Sequence, residues 1–156
     1  MALLSPACFI SNPEGCVGLD LSQTPIVWTT KAKMAFYRMD FTMTALGGYF
    51  WAVGGRYGSD HYQTVERYDP ALNTWSAVAN FPNYAIWKHC AVADEEENRL
   101  YVIGGDYADP VGNVYLGIRP EIWYYQVRLS QTFLWWVEEG GSWQYFFKNK
   151  VFYIVH

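Results

Sequence analysis

The chain has 156 residues, a formal net charge of −4 and 51% hydrophobic residues, which is enough for one domain core and unlike a disordered chain. Its mild acidity gives no global pull toward nucleic acid or an anionic membrane surface. Aromatic residues reach 19%, and rings in such number suit the packed faces of pleated sheets.

In chain order, residues 1–15 read as an N-terminal extension. The apolar stretch within them has no basic residue ahead of it and contains Pro6, a poor secretory signal. CVGLDL (16–21) and IVWTT (26–30) follow as two short strands. DFTMTAL (40–46), YFWAVGG (49–55), TVERYDP (64–70) and NTWSAVA (73–79) predict four more. Asp69-Pro70 opens the turn between the last two, and Asn73 suits its left-handed position. HCAVAD (89–94) and RLYVIGG (99–105) predict the next pair, joined across the acidic run from Asp94 to Glu97. Four adjacent carboxylates read as a solvated hairpin tip rather than a cation site. EIWYYQV (121–127), FLWWVEE (133–139) and residues 142–155, which include KVFYIV, complete the strands. The longest uncharged window, 70–87, holds three asparagines and two prolines and is no membrane span. Cys8, Cys16 and Cys90 form no CxxC pair, so a reducing, cytoplasmic setting is expected.

These elements repeat. Gly54-Gly55 and Gly104-Gly105 close equivalent strands 50 residues apart, and each is followed by a strand–turn–strand. A unit of four short strands cannot bury both faces alone, but radial stacking against similar units can bury them, as in a propeller blade.

The tract from Tyr49 to Gly105, with its glycine pairs, Tyr68, Asp69 and Trp75 in VERYDPALNTW, resembles the kelch repeat, and is most like the kelch domains of BTB-kelch proteins. The resemblance implies an all-β, partial kelch-type β-propeller over residues 16–156, with blades at approximately 16–32, 40–79, 89–139 and 142–156. Two of these are complete, two are half-blades, and together they amount to about three blades. Trp28, Trp75 and Trp135 or Trp136 take the outer-strand position expected to pack between blades, and the glycine pairs are expected to be structural.

No Gly-x-Ser-x-Gly, P-loop or HExxH occurs, and His61, His89 and His156 have no ligand spacing, so no enzyme, metal or cofactor is expected. The resemblance places function in the loops on one face of the propeller, where a protein partner binds. Tyr37 and Arg38 would reach that face between blades, with Arg56, Tyr57, Asp60, His61 and Tyr62 from the first inner loop. Tyr84, Trp87 and Lys88 would join them between the next blades, with Asp106, Tyr107, Asp109 and Arg119 from the second inner loop. Arginines there are expected to meet acidic motifs. For BTB-kelch proteins the implied role is substrate recognition for a cullin-based ubiquitin ligase. Actin or cytoskeletal binding is the alternative, and a kelch-fold copper oxidase stands behind both. Head-to-tail pairing of two copies would cover the open blade faces.

Overall fold

The structure is a computed structural model that describes residues 4–5, 16–20, 24–25, 27–127, 134–139 and 142–147. β1 (Leu4–Ser5), β2 (Cys16–Asp20) and β3 (Trp28–Lys31) form a first antiparallel sheet. A second sheet holds β4 (Thr42–Leu46), β5 (Tyr49–Val53), β8 (Val65–Asp69) and β9 (Thr74–Ala77). The two-residue strands β6 (Arg56–Tyr57) and β7 (Asp60–His61) make a small hairpin between β5 and β8. The short strand β10 (Ala85–Trp87) leads into the third sheet, which holds β11 (Cys90–Asp94), β12 (Arg99–Ile103), β15 (Ile122–Gln126), β16 (Leu134–Glu139) and β17 (Ser142–Phe147). Between β12 and β15, the hairpin of β13 (Asp106–Ala108) and β14 (Tyr115–Ile118) returns to pair with β10.

Side-chain alternation sends one face of the second sheet and one face of the third into a shared core. Leu46, Trp51, Val53 and Val65 from one side meet Leu100, Val102, Trp123 and Tyr125 from the other, with Phe81, Ile86 and Tyr107 closing the loop end. The Trp51 ring lies 5.2 Å from that of Tyr125, and its indole N–H donates to the Leu46 carbonyl at 3.0 Å, so even this large side chain is satisfied. At the seam between the first two sheets, Asn73 adopts φ 51°, and its Oδ1 accepts from the Ala32 N–H at 2.9 Å and the Tyr68 hydroxyl at 2.7 Å. Asp69 Oδ1 accepts from the Ala71 and Leu72 amides and sets the same turn. Trp75 donates to the Ala32 carbonyl at 2.9 Å and lies against Tyr68.

The glycine pairs sit where backbones cross. Gly54 has φ 57° and Gly55 φ 95°; a Cβ on Gly54 would collide with the Ile86 carbonyl oxygen, and one on Gly55 would lie 2.8 Å from the Met39 carbonyl oxygen. The acidic run does two jobs. Asp94 accepts from the Glu97 amide within the tip, and Glu95 reaches the Gly47 amide of the second sheet at 3.2 Å.

Three expectations differ from the structure. The repeat pattern expects residues 142–156 to begin another blade, yet β17 pairs with β16 from Leu134↔Phe147 to Glu139↔Ser142 as a fifth strand of the third sheet. Only two residues separate Glu139 from Ser142, and so short a link makes a hairpin rather than a crossing between blades. Residues 148–156 lie outside the described residues. Within the N-terminal extension, Leu4–Ser5 joins the first sheet against β2. Trp28, expected to pack between blades, is 52% exposed on β3; the Trp135 and Trp136 side chains lie outside what is described.

Candidate partner-binding face

The loop segments gather at one end of the sheets. There the segment 36–40 lies beside the β6–β7 hairpin, tied by a bridge between Met39 and Arg56, and β7 approaches β10. The Tyr37 and Tyr57 rings are 6.1 Å apart, and those of Phe36 and Tyr62 are 5.4 Å apart. Phe36, Tyr37, Met39 and Tyr57 are all exposed, Tyr57 by 51%. The segment ends at Asp40, which takes the left-handed conformation (φ 54°).

Arg38 departs most from expectation. It is wholly buried: Nη1 donates to the Gly54 carbonyl at 2.7 Å and to the Thr64 carbonyl at 3.0 Å, while Nη2 donates to Thr64 Oγ1 at 3.0 Å and Glu66 Oε2 at 2.5 Å. Glu66 is buried as well, and its Oε1 accepts from the Ala35 amide. A guanidinium consumed in this way ties the lead-in segment to the glycine pair and is not offered to a partner. Trp87 and Tyr107 are likewise buried, and burial raises the Tyr107 phenol above its ordinary pKa.

The other basic groups of the face are paired internally. Arg56 Nε donates to Asp40 at 2.7 Å, Lys88 lies 3.5 Å from Asp106, and Arg119 lies 3.3 Å from Glu121 with its guanidinium over the Tyr84 ring. Asp106 also accepts from the Tyr115 hydroxyl, and Asp109 caps its own turn by accepting from the Val111 amide. His61 stacks on Trp87 at 4.1 Å and its Nδ1–H donates to Asn113, whose amide in turn reaches the Ser59 carbonyl. These contacts lock the two inner-loop hairpins to each other. Asp60 is exposed, and Tyr62 is half-buried with its phenol pKa raised by desolvation and by Asp60.

The structure therefore brings Tyr37, Arg56, Tyr57, Asp60 and Tyr62 into one cluster, with Tyr37, Tyr57 and Asp60 exposed, Arg56 and Tyr62 half-buried and Lys88 to one side, and removes Arg38, Trp87 and Tyr107 from it. Phe36 and Met39 belong to the cluster and were missed. Their signal was the apolar run around Arg38 in AFYRM, too polar to be a core strand and too apolar to be an ordinary loop. Among the described residues no three His, Cys, Asp or Glu side chains stand close enough to hold a metal ion. His89 is buried behind the loops, with Nε2 2.6 Å from Thr42 Oγ1, and desolvation lowers its pKa to about 4.

Comparison with known proteins agrees with this architecture. Residues 37–82 match the Kelch motif. The chain is 43% identical over 87 residues to Kelch-like protein 35 of Mus musculus, and 35% identical over 86 residues to Kelch repeat and BTB domain-containing protein 13 of Homo sapiens. Those alignments cover 54% and 55% of this chain and 14% and 18% of the relatives, so the chain spans a small part of their length. The solved structure of YjhT superposes with a TM-score of 0.54 at 14% identity, over 88% of this chain and 61% of that one. The chain is a partial kelch-type β-propeller, similar in sequence to the Kelch-like proteins.

Proposed function

We propose that this chain is a protein-interaction module that receives its partner on the loop end. The carrying observation is the exposed aromatic and methionine cluster of Phe36, Tyr37, Met39 and Tyr57, rimmed by the Arg56–Asp40 ion pair. Rings with a polar rim are what binding hot spots use, and no reaction of the chain's own is part of this reading. The likeness to Kelch-like proteins supports a finer assignment, substrate recognition for a cullin-based ubiquitin ligase adaptor of BTB-kelch type, acting in the cytoplasm.

Quantitative capture from cytosolic extract with the chain and with its Tyr37→Ala/Tyr57→Ala variant tests the first statement. At least one protein should fall about thirtyfold or more in the variant, consistent with loss of a hot-spot pair worth roughly 2 kcal/mol or more. Equal capture by a variant with unchanged circular dichroism refutes the loop-end assignment. For the finer statement, excess chain in cells should act as a decoy and lengthen the captured protein's lifetime. An unchanged lifetime removes the ligase reading and leaves the interaction module standing.

A further inference from the structure

The chain uses one side-chain arrangement three times: an arginine laid over a tyrosine ring and held by a carboxylate. Arg38 lies 5.8 Å from the centre of the Tyr62 ring and bonds Glu66 at 2.5 Å. Arg99 lies 4.9 Å from the centre of the Tyr124 ring and 3.4 Å from Glu97. Arg119 lies 4.6 Å from the centre of the Tyr84 ring and 3.3 Å from Glu121. In each, the negative face of the ring and the carboxylate act on one guanidinium, whose flat fork suits both.

The β6–β7 hairpin carries the ring and the carboxylate of a fourth such set. Its strands pair as Arg56↔His61 and Tyr57↔Asp60, so alternation puts Tyr57 and Asp60 together on one face and Arg56 and His61 on the other. On their own face Arg56 is held by Asp40, and His61 by Trp87 and Asn113. Tyr57 and Asp60 are both exposed. Among the described residues no cation lies over the Tyr57 ring, and neither a hydrogen bond nor an ion pair holds the Asp60 carboxylate. This corner is not an open sheet edge. Segment 36–40 flanks the hairpin on one side, and β10 and Asn113 flank it on the other.

We infer that the Tyr57–Asp60 corner takes an arginine of the partner protein, its guanidinium over the Tyr57 ring and paired with Asp60. The inference rests on the loop-end reading above and names the chemistry of its partner. Charge complementarity sets the sign. Arg38, Arg56, Lys88 and Arg119 are matched by Glu66, Asp40, Asp106 and Glu121, and Asp60 is the charge left over. An acidic residue would meet that carboxylate unscreened, so the expectation of arginines here meeting acidic motifs is reversed: the partner supplies the arginine. Phe36 and Met39, exposed on the neighbouring segment, set apolar residues beside it.

The probe is a blocked tripeptide, Leu-Arg-Leu with acetyl and amide ends, added to the full isotopically labelled chain. The Tyr57 ring resonances should move saturably. Citrulline, which keeps the shape of arginine without its charge, should bind at least about fivefold more weakly, and glutamate should not bind. Asp60→Asn should weaken the arginine peptide at least about threefold and leave the citrulline peptide unchanged. Tyr57→Leu, which keeps apolar area without the ring face, should weaken it as well. In both variants unmoved His61 ring resonances report that the hairpin is still locked on Trp87. Tyr57 resonances unmoved by the arginine peptide, equal binding of arginine and citrulline, or full binding by Asp60→Asn overturns the inference. Capture lost in Tyr37→Ala/Tyr57→Ala together with equal binding of the two peptides removes this inference and leaves the interaction module standing. Arginine selectivity with unchanged capture keeps the cation site and removes the loop-end reading.

Discussion

Replacing Arg38 by alanine should damage the fold before it damages any interface. The change deletes four hydrogen bonds, to Gly54, Thr64 (two) and Glu66, and leaves the Glu66 carboxylate buried with the Ala35 amide bonded to its other oxygen. Stranding one member of a buried ion pair costs about 3–5 kcal/mol. Against a total stability on the order of 5–15 kcal/mol, that is a large share, and it corresponds to a fall in Tm on the order of 10 °C. Urea and thermal unfolding followed by Trp fluorescence would measure it. A double replacement, Arg38→Met with Glu66→Leu, removes the stranded charge and should recover at least half of the loss. About 1 kcal/mol should remain lost for the Ala35 amide left without its acceptor. If Arg38→Ala keeps its stability within about 1 kcal/mol of the parent yet abolishes partner capture, Arg38 is a contact residue and the reasoning fails.

Two further outcomes follow from the buried seam between the second and third sheets. His89 has a folded pKa of about 4, below its ordinary 6.5, so the unfolded chain binds the proton more readily. Its contribution is full above pH 6.5 and is lost as pH falls toward 4, about 2 kcal/mol being gone at pH 5. Urea midpoints at pH 7 and pH 5 should show that loss in the parent and a smaller one in His89→Gln; equal slopes would refute it. Gly54→Ala should cost several kcal/mol, because a collision with the Ile86 backbone adds to strain at positive φ, whereas Gly104→Ala carries the φ strain alone, with only an ordinary contact to the Arg119 carbonyl oxygen at 3.6 Å, and should cost about 1 kcal/mol. Equal unfolding midpoints for the two variants would show that the Ile86 contact is not formed.

Much of the strand order was legible because it rests on local chemistry. Gly-Gly pairs end β5 and β12, Asp69 and Asn73 write their own turn, and alternating apolar residues such as Trp51 and Val53 mark the inward face. What was not legible depends on residues far apart in the chain. Arg38 looks like a loop cation until Glu66, 28 positions later, is seen to close on it. The long 105–121 segment showed no strand–turn signature, because β13 pairs back to β10, roughly twenty residues earlier. Trp87 reads as an exposed loop aromatic until His61 stacks on it and Tyr115 covers it. Charge was thus the misleading signal at the loop end. Its arginines and Lys88 bind acidic neighbours of the same chain, and the exposed rings are left to meet a partner.

The most direct measurement is the hydrogen-exchange footprint of a captured protein on the chain. The account predicts slowed exchange in residues 36–40 and 56–62, at the Tyr37–Tyr57 cluster, with the outer strand β9 unchanged. Protection confined to β9 and its turn, with 36–40 and 56–62 exchanging as in the free chain, would contradict it.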